Sequence, residues 1–185
     1  MPSYRKGVDG LKTGISDQGG LSFIASANER DMRLITVVLN VENAEEDIKA
    51  LFLATASIMD YIANNFVVTT LAEKGTPYED SHISIINGSE DQIKVVASND
   101  LNIIQRIGSD SEPKVTFKKN KQEFKAPLAA HTPIGTLSYK DTDLIGKGYL
   151  KEQPSITMET EKEVAQGFFL KVWWNNFVEY VNKKL

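Results

Sequence analysis

The chain has 185 residues, of which 41% are hydrophobic and 25% charged, and this composition excludes a disordered protein. Its net charge of -4 argues against a general nucleic-acid partner. Cysteine is absent and the two histidines, His82 and His131, lie far apart, so the sequence predicts neither a disulfide, nor a metal site, nor a cofactor.

Three antiparallel strands are predicted in the first forty residues. Residues 21–27 and 32–39 are mostly apolar or β-branched, and the run at 8–14 precedes them. Polar turns at 17–20 and 28–31 separate the three runs. The first strand carries Lys12, Thr13 and Gly14. An edge strand can pair with an extended peptide. An ammonium group and a hydroxyl group on that strand can bind the carboxylate of the peptide, and a glycine permits its close approach.

A long amphipathic helix is predicted next, over about 44–65. Asn43 is its expected N-cap, with Glu45, Glu46 and Asp47 in its first turn. Its apolar stripe predicts packing against the three strands. The stripe consists of Ile48, Leu51, Phe52, Thr55, Ile58, Met59, Ile62 and Phe66.

The following hundred residues predict a small all-β sandwich. Short strand-like runs occur at 67–71, 83–86, 92–96, 115–117, 134–139 and 155–158, with turn signals between them.

The last segment, 166–185, predicts an amphipathic helix lying in a membrane surface. One face of the helical projection is apolar and aromatic and contains both tryptophans, and the other face is polar. The expected membrane contacts are Phe169, Leu170, Trp173, Trp174, Phe177 and Val181. A helix packed on the sandwich or on another chain is the alternative.

The first three predicted strands begin with the string Val8-Asp9-Gly10-Leu11-Lys12-Thr13-Gly14. With the two strands after it, this string resembles the low-molecular-mass penicillin-binding proteins, which are the serine-type D-alanyl-D-alanine carboxypeptidases. Strings at 125–128, 133–137 and 153–154 resemble the C-terminal domain of the same family. The resemblance implies that Lys12 and Thr13 contact the substrate carboxylate beside Gly14. Ile15 stands where a polar residue is usual in the family, so no further polar contact is expected there.

The resemblance also implies the activity of a parent enzyme. That enzyme removes the terminal D-alanine of peptidoglycan stem peptides through an acyl-serine intermediate, is inhibited by β-lactams, and works at the outer face of the cytoplasmic membrane. The family's Ser-x-x-Lys and Ser-x-Asn sequences precede the Lys-Thr-Gly strand, but only eleven residues precede Lys12 here. The chain is therefore expected to be a fragment that is inactive alone and that self-associates through uncovered apolar surface.

Three chance matches to the missing sequences are rejected. Ser3-x-x-Lys6 lies at the start of the chain, Ser111-x-x-Lys114 contains a proline, and Ser26-x-Asn28 follows Lys-Thr-Gly in the wrong order. Asp80, Asp141 and Asp143 lack the spacing of an EF-hand calcium loop.

The predicted fold class is α+β, with three parts. Residues 1–66 form part of the penicillin-binding domain, 67–165 a β-sandwich, and 166–185 the membrane-surface helix. Two alternatives remain: a non-catalytic pedestal that anchors or docks other cell-wall proteins, and the remnant of a β-lactamase.

Overall fold

The computed structural model describes residues 5–17, 19–41, 47–109 and 111–184 of the chain. The chain divides into two compact units. The first contains residues 1–69 and 104–110, and the second contains 70–103 and 111–185. The two units together have the predicted α+β class, because strands predominate and two helices accompany them.

The first unit contains a three-stranded antiparallel sheet. Its strands are β1 (Val8–Ser16), β2 (Gly20–Glu29) and β3 (Met32–Leu39), paired in the order β1-β2-β3. Arg30 and Asp31 connect β2 to β3 with φ values of 50° and 61°, the two positive values that a tight hairpin turn needs. The sequence-predicted strands and their pairing are confirmed.

Helix α1 (Lys49–Asn65) covers one face of this sheet. Strand residues alternate in burial, so that Met32, Leu34, Thr36 and Val38 of β3 are buried while their neighbours in sequence are exposed. The aromatic ring of Phe23 on β2 packs against that of Phe52 on the helix, with 5.1 Å between the two ring centroids. The helix buries the four side chains of Leu51, Thr55, Met59 and Ala63.

The opposite face of the same sheet is apolar and exposed. Ile35, Val37 and Leu39 of β3 are 66%, 57% and 66% exposed, and Ile24 of β2 pairs with Val37 in the register. We call this surface the outer face. These exposed side chains agree with the uncovered apolar surface predicted from the sequence.

Helix α1 begins later than predicted. It starts at Lys49, and Asp47 precedes it, with its carboxylate accepting a hydrogen bond from the Lys49 N–H at 3.0 Å. The predicted N-cap Asn43 and the acidic Glu45 and Glu46 lie outside the described residues. The predicted stripe is wrong at Ile48 and Ile58, which are 50% and 41% exposed, because Ile48 precedes the helix and Ile58 lies at the margin of the buried face.

The remaining strands are β4 (Phe66–Ala72), β5 (Pro77–Ile86), β6 (Gln92–Ala97), β7 (Leu101–Arg106), β8 (Lys114–Lys119), β9 (Phe124–Lys125), β10 (Pro133–Lys140) and β11 (Ser155–Thr160). Six of them form a sheet in the order β8-β10-β11-β6-β5-β9, and β4 pairs with β7. Their buried side chains form one core, which includes Ile83, Val95, Leu101, Leu137 and Met158.

Strand β7 has no counterpart among the predicted strands. Its alternation is visible in the structure, with Leu101 and Ile103 buried and Asn102 exposed, but Gln105 and Arg106 interrupt the apolar pattern in the sequence. Thr70 of β4 donates a hydrogen bond of 2.7 Å to the Asn102 side chain, so part of the pairing of β7 is polar.

Helix α2 (Phe169–Lys184) follows the sandwich through a tight junction. The Gly167 N–H donates to the Asn87 carbonyl at 2.8 Å, and Gln166 bridges to Gly88. A Cβ atom on Gly167 would lie 2.7 Å from the Gly88 carbonyl oxygen, so the two backbones approach too closely for another residue.

Polar side chains of α2 continue this junction. Lys171 donates to the Gly88 carbonyl at 3.0 Å and forms an ion pair with Asp91 at 2.7 Å. Asn175 donates to the Asn87 side chain at 3.1 Å. One side of the helix is thereby fixed to the turn between β5 and β6.

Candidate functional site

Lys12, Thr13 and Gly14 lie on β1, at the edge of the three-stranded sheet. They pair with Ile24, Phe23 and Ser22 of β2, respectively. Within the described residues, the other side of β1 has no strand partner. All three residues are exposed, so the backbone groups on the free side of β1 are available to an extended peptide.

The alternation of β1 separates the two polar side chains. Thr13 is opposite Phe23, on the side of the sheet that α1 covers, whereas Lys12 and Gly14 share the outer face with Ile24 and Ser22. A ligand that contacts both the ammonium and the hydroxyl group must therefore lie along the strand edge.

An open groove of about 450 Å³ lies at this edge, lined by Lys12, Thr13, Gly14, Ile15, Leu21 and Ile48. Ile15 is 74% exposed, so the wall after the triplet is apolar. The groove therefore has one cationic and one hydroxyl group set among aliphatic side chains, an arrangement that suits a small peptide with a terminal carboxylate.

Gly14 has no structural reason within this unit to be glycine. A Cβ atom there would meet no heavy atom within 4 Å, and the residue lies outside the left-handed backbone region. The open space beside Gly14 is consequently free for an incoming ligand.

A hydrogen-bonded network that sequence reasoning missed lies near the start of β1. Asp9 occupies a register shift between Val8 and Gly10 and accepts hydrogen bonds from Ser26, at 2.6 Å, and from Arg33. Arg33 also contacts the Ser26 hydroxyl at 3.0 Å. The hydrogen bond from Ser26, followed by that from Arg33, lowers the pKa of the Asp9 carboxyl group below its ordinary value.

This network explains Ser26, whose match to Ser-x-Asn is accidental. Ser26 is 1% exposed and its hydroxyl group binds Asp9, so it is not accessible to a substrate. The sequence does contain an acidic residue before Lys-Thr-Gly and an arginine in the third predicted strand. Only the register of the sheet shows that these two residues meet.

The structure supplies no activated nucleophile among the described residues that match Ser-x-x-Lys. Residues 111–113 have no regular structure and Lys114 begins β8, so Ser111 and Lys114 do not share a helical turn. Ser3 of the other match lies outside the described residues.

The side chains considered for metal binding have protein partners or lie apart. His131 contacts Glu159 at 2.6 Å, and Asp141 accepts hydrogen bonds from Tyr139 at 3.2 Å and Tyr149 at 3.0 Å. Burial, together with Asp141, raises the pKa values of both tyrosines. No group of three potential metal ligands occurs in the described part of the chain, which does not include the Asp80 side chain.

The predicted membrane contacts lie on α2, away from its junction side. Phe169, Leu170, Trp173, Trp174 and Phe177 are between 47% and 67% exposed, whereas Val181 is half-buried. The rings of Trp173 and Phe177 stack with 5.8 Å between their centroids. Among the helices of the described residues, none is long and apolar enough to cross a membrane.

Comparison with known families gives two matches in succession. Residues 1–43 match the D-alanyl-D-alanine carboxypeptidase family, and residues 66–165 match the C-terminal domain of penicillin-binding protein 5. The second match alone covers more than half of the chain.

Individual relatives agree with these matches. D-alanyl-D-alanine carboxypeptidase DacC of Escherichia coli is 27% identical over 90% of this chain and 38% of its own length. The crystal structure of a peptidoglycan synthesis regulatory factor (PBP3) from Streptococcus pneumoniae is 42% identical, with a TM-score of 0.77, over 89% of this chain and 45% of that one. Penicillin-binding protein 5 from Haemophilus influenzae is 27% identical, with a TM-score of 0.60, over 86% and 43%. The chain thus spans about two fifths of the length of the proteins it matches.

Proposed function

This chain belongs to the family of the penicillin-binding protein 5 C-terminal domain, and from that premise we propose that it is the C-terminal portion of a serine-type D-alanyl-D-alanine carboxypeptidase. The parent enzyme would remove the terminal D-alanine of peptidoglycan pentapeptides through an acyl-serine intermediate and would be acylated by β-lactams. Residues 1–66 would complete its catalytic domain, 67–165 would form the sandwich, and 166–185 the surface helix.

The observation that carries this proposal is the exposed edge of β1 with Lys12 and Thr13 beside the open space at Gly14. A peptide extending along this edge would form backbone hydrogen bonds with β1. The Lys12 ammonium and the Thr13 hydroxyl would bind its terminal carboxylate and orient its last peptide bond. These groups position a substrate, but none of them attacks a carbonyl carbon, so this chain alone would be inactive.

Acylation by a reactive penicillin, followed by intact mass, tests the catalytic part. This chain should give no adduct, while the longer protein that the proposal implies should give one adduct per molecule. In that protein, Lys12→Ala should slow acylation by about a hundredfold, since it removes a charged contact to the carboxylate. Lys6→Ala, an exposed lysine in the preceding turn, is the matched control and should leave the rate unchanged. An adduct on this chain would refute the assignment.

A second role, attachment to a lipid surface, is supported by the exposed aromatic side chains of α2. The helix would lie in the headgroup region on the outer face of the cytoplasmic membrane, with Trp173, Trp174 and Phe177 inserted. The sandwich would then serve as a pedestal, which is also the role expected of a non-catalytic module.

Binding to anionic phospholipid vesicles tests this attachment. The chain should bind with a blue shift of tryptophan fluorescence. The variant Trp173→Ala with Trp174→Ala has no tryptophan left, so its binding is measured by co-sedimentation with the vesicles and should be at least tenfold weaker. The control variant carries Leu144→Ala with Leu150→Ala, two exposed apolar residues of the loop after β10. This variant should bind the vesicles as strongly as the unaltered chain. Binding that survives deletion of residues 166–185 would exclude α2 as the anchor.

A further inference from the structure

The six-stranded sheet presents a polar, cationic surface at its β8 edge. Residues 114–125 contain five lysines and one acidic residue, in a chain whose net charge is -4. The register places Lys114, Thr116 and Lys118 of β8 opposite Lys140, Ser138 and Thr136 of β10. These six residues define the lysine face.

Strand alternation puts the six side chains on one side of the sheet. Their neighbours Val115, Phe117 and Leu137 pack on the core, whereas the lysines are exposed. The next strand, β11, extends the face with Ser155 and Thr157, which pair with Ser138 and Thr136. The surface therefore combines three ammonium groups with hydroxyl groups, and the carboxylate that follows them along β11, that of Glu159, contacts His131 at 2.6 Å.

Electrostatic repulsion within this face is not offset by an ion pair of its lysines within the described residues. Lys114 and Lys140 are directly opposite each other on adjacent strands, an arrangement that destabilises a sheet. Within the described residues, no ion pair or side-chain hydrogen bond is formed by the six residues that define the face. A multivalent anion would remove the repulsion and satisfy the hydroxyl groups.

We infer that the lysine face binds a linear polyol-phosphate polymer, since the net charge of -4 argues against a nucleic acid. Lys114 and Lys118 are about 13 Å apart along β8, with Thr116 between them, and adjacent strands are about 4.8 Å apart. The cations are thus spread over a flat surface rather than converging on a point, which suits an anion repeated along a chain better than one small ion. Each phosphodiester offers one permanent charge and two oxygen acceptors for an ammonium and a hydroxyl group.

A lipid surface fits the lysine face less well than a polymer does. The lysine face is at the β8 edge, whereas the junction with α2 involves the turn between β5 and β6, which are four and three strands away from β8 in the sheet order. The inference does not depend on the carboxypeptidase proposal, since no residue of β1 takes part.

Binding of the full chain to a fluorescently labelled poly(glycerol phosphate) tests the inference. We expect binding at 50 mM salt that weakens as salt is added, because neutralised phosphates release counterions. The triple variant Lys114→Gln, Lys118→Gln, Lys140→Gln should bind at least tenfold more weakly. The slope of the logarithm of the binding constant against the logarithm of the salt concentration should become shallower by about 2, as expected for the loss of roughly three phosphate contacts.

The matched control is Lys74→Gln, Lys147→Gln, Lys151→Gln, which removes the same charge from exposed lysines outside the face. It should change the affinity less than twofold. Equal loss in the two triple variants, or no binding by the unaltered chain, would overturn the inference. Thermal unfolding checks the fold of both triple variants. The double variant Lys114→Gln, Lys140→Gln provides a second test, because it removes the two lysines that lie opposite each other and so relieves their mutual repulsion.

Two further probes test the chemistry of the partner. Poly-glutamate of similar length should bind at least fivefold more weakly, and equal binding would overturn the preference for phosphate. Phosphatidylglycerol vesicles present the same phosphodiester on a membrane. If the triple variant lost vesicle binding as strongly as polymer binding, the lysine face would be a membrane contact and the inference would fail.

Discussion

At the scale of single residues, Asp9 connects the start of β1 to β2 and β3. Its carboxylate accepts hydrogen bonds from Ser26 and Arg33, and these lower its pKa below the ordinary value. A carboxyl group with a lowered pKa in the folded state stabilises the fold above its ordinary pKa. That stabilisation is lost as the pH falls through the folded-state value.

Asp9→Asn should therefore destabilise the first unit at pH 7 but not in strong acid. The difference in the free energy of unfolding between the variant and the unaltered chain should shrink below about pH 4. Urea unfolding at pH 7 and at pH 3 measures it. Asp17→Asn, at the exposed turn after β1, is the matched control, with an expected change below about 0.5 kcal/mol. A difference for Asp9→Asn that is as large at pH 3 as at pH 7 would contradict the prediction.

The candidate site itself was predictable at this scale only in part. Lys12, Thr13 and Gly14 stand out because they fall in a longer family-like string, and their edge position follows from a strand that comes first in its sheet. The Asp9 network was not predictable, because a register shift at Asp9 decides which side chains face Arg33. A period of two residues cannot reveal such a shift. The substrate role of the triplet stays a prediction.

At the scale of elements, α1 has one buried and one exposed side, as its helical period predicts. Leu51 is fully buried, whereas Leu53, which lies about 200° further around the helix, is 60% exposed. The apolar stripe predicted the buried side correctly at Leu51, Thr55 and Met59. It failed at Ile48 because the sequence does not mark where the helix begins.

Leu51→Ala should lower the free energy of unfolding by about 2 to 5 kcal/mol, since it removes a fully buried side chain and leaves a cavity. Leu53→Ala is the matched control on the same helix and should change it by less than about 0.5 kcal/mol. Thermal or urea unfolding compares them. Equal losses in the two variants would mean that the exposed side of α1 is covered in solution.

The sandwich strands were mostly predictable as elements, but their order was not. Alternation marks β8 and β10, and turn residues separate most of the others. The pairing order β8-β10-β11-β6-β5-β9 depends on long-range contacts between short strands, which local patterns do not encode. Strand β7 escaped detection because its second half is polar at Gln105 and Arg106.

At the scale of the whole molecule, the outer face of the first unit is where we expect self-association. Exposed Ile35, Val37 and Leu39 form a contiguous apolar surface on one side of β3. Surfaces of this kind drive association, because contact with a second copy removes them from water.

The chain should therefore self-associate as its concentration rises, as measured by light scattering. Ile35→Thr with Val37→Thr should shift the average mass toward the monomer, because both side chains become polar while β-branching is kept. Leu150→Ser, at an exposed loop position, should leave the mass unchanged. A strictly monomeric mass at high concentration in the unaltered chain would be inconsistent with this expectation.

The junction at Gly88 and Gly167 has a mechanical consequence for a bilayer-bound molecule. The backbones are in contact there, and Lys171 and Asn175 are hydrogen-bonded to the same turn, so several contacts hold the orientation of α2 relative to the sandwich. If α2 lies in the lipid surface as proposed, we expect the strands to adopt one inclination to the bilayer normal. Spin labels on β6 and α2 of vesicle-bound protein would then report a single, narrow distance distribution, and Gly167→Val would broaden it.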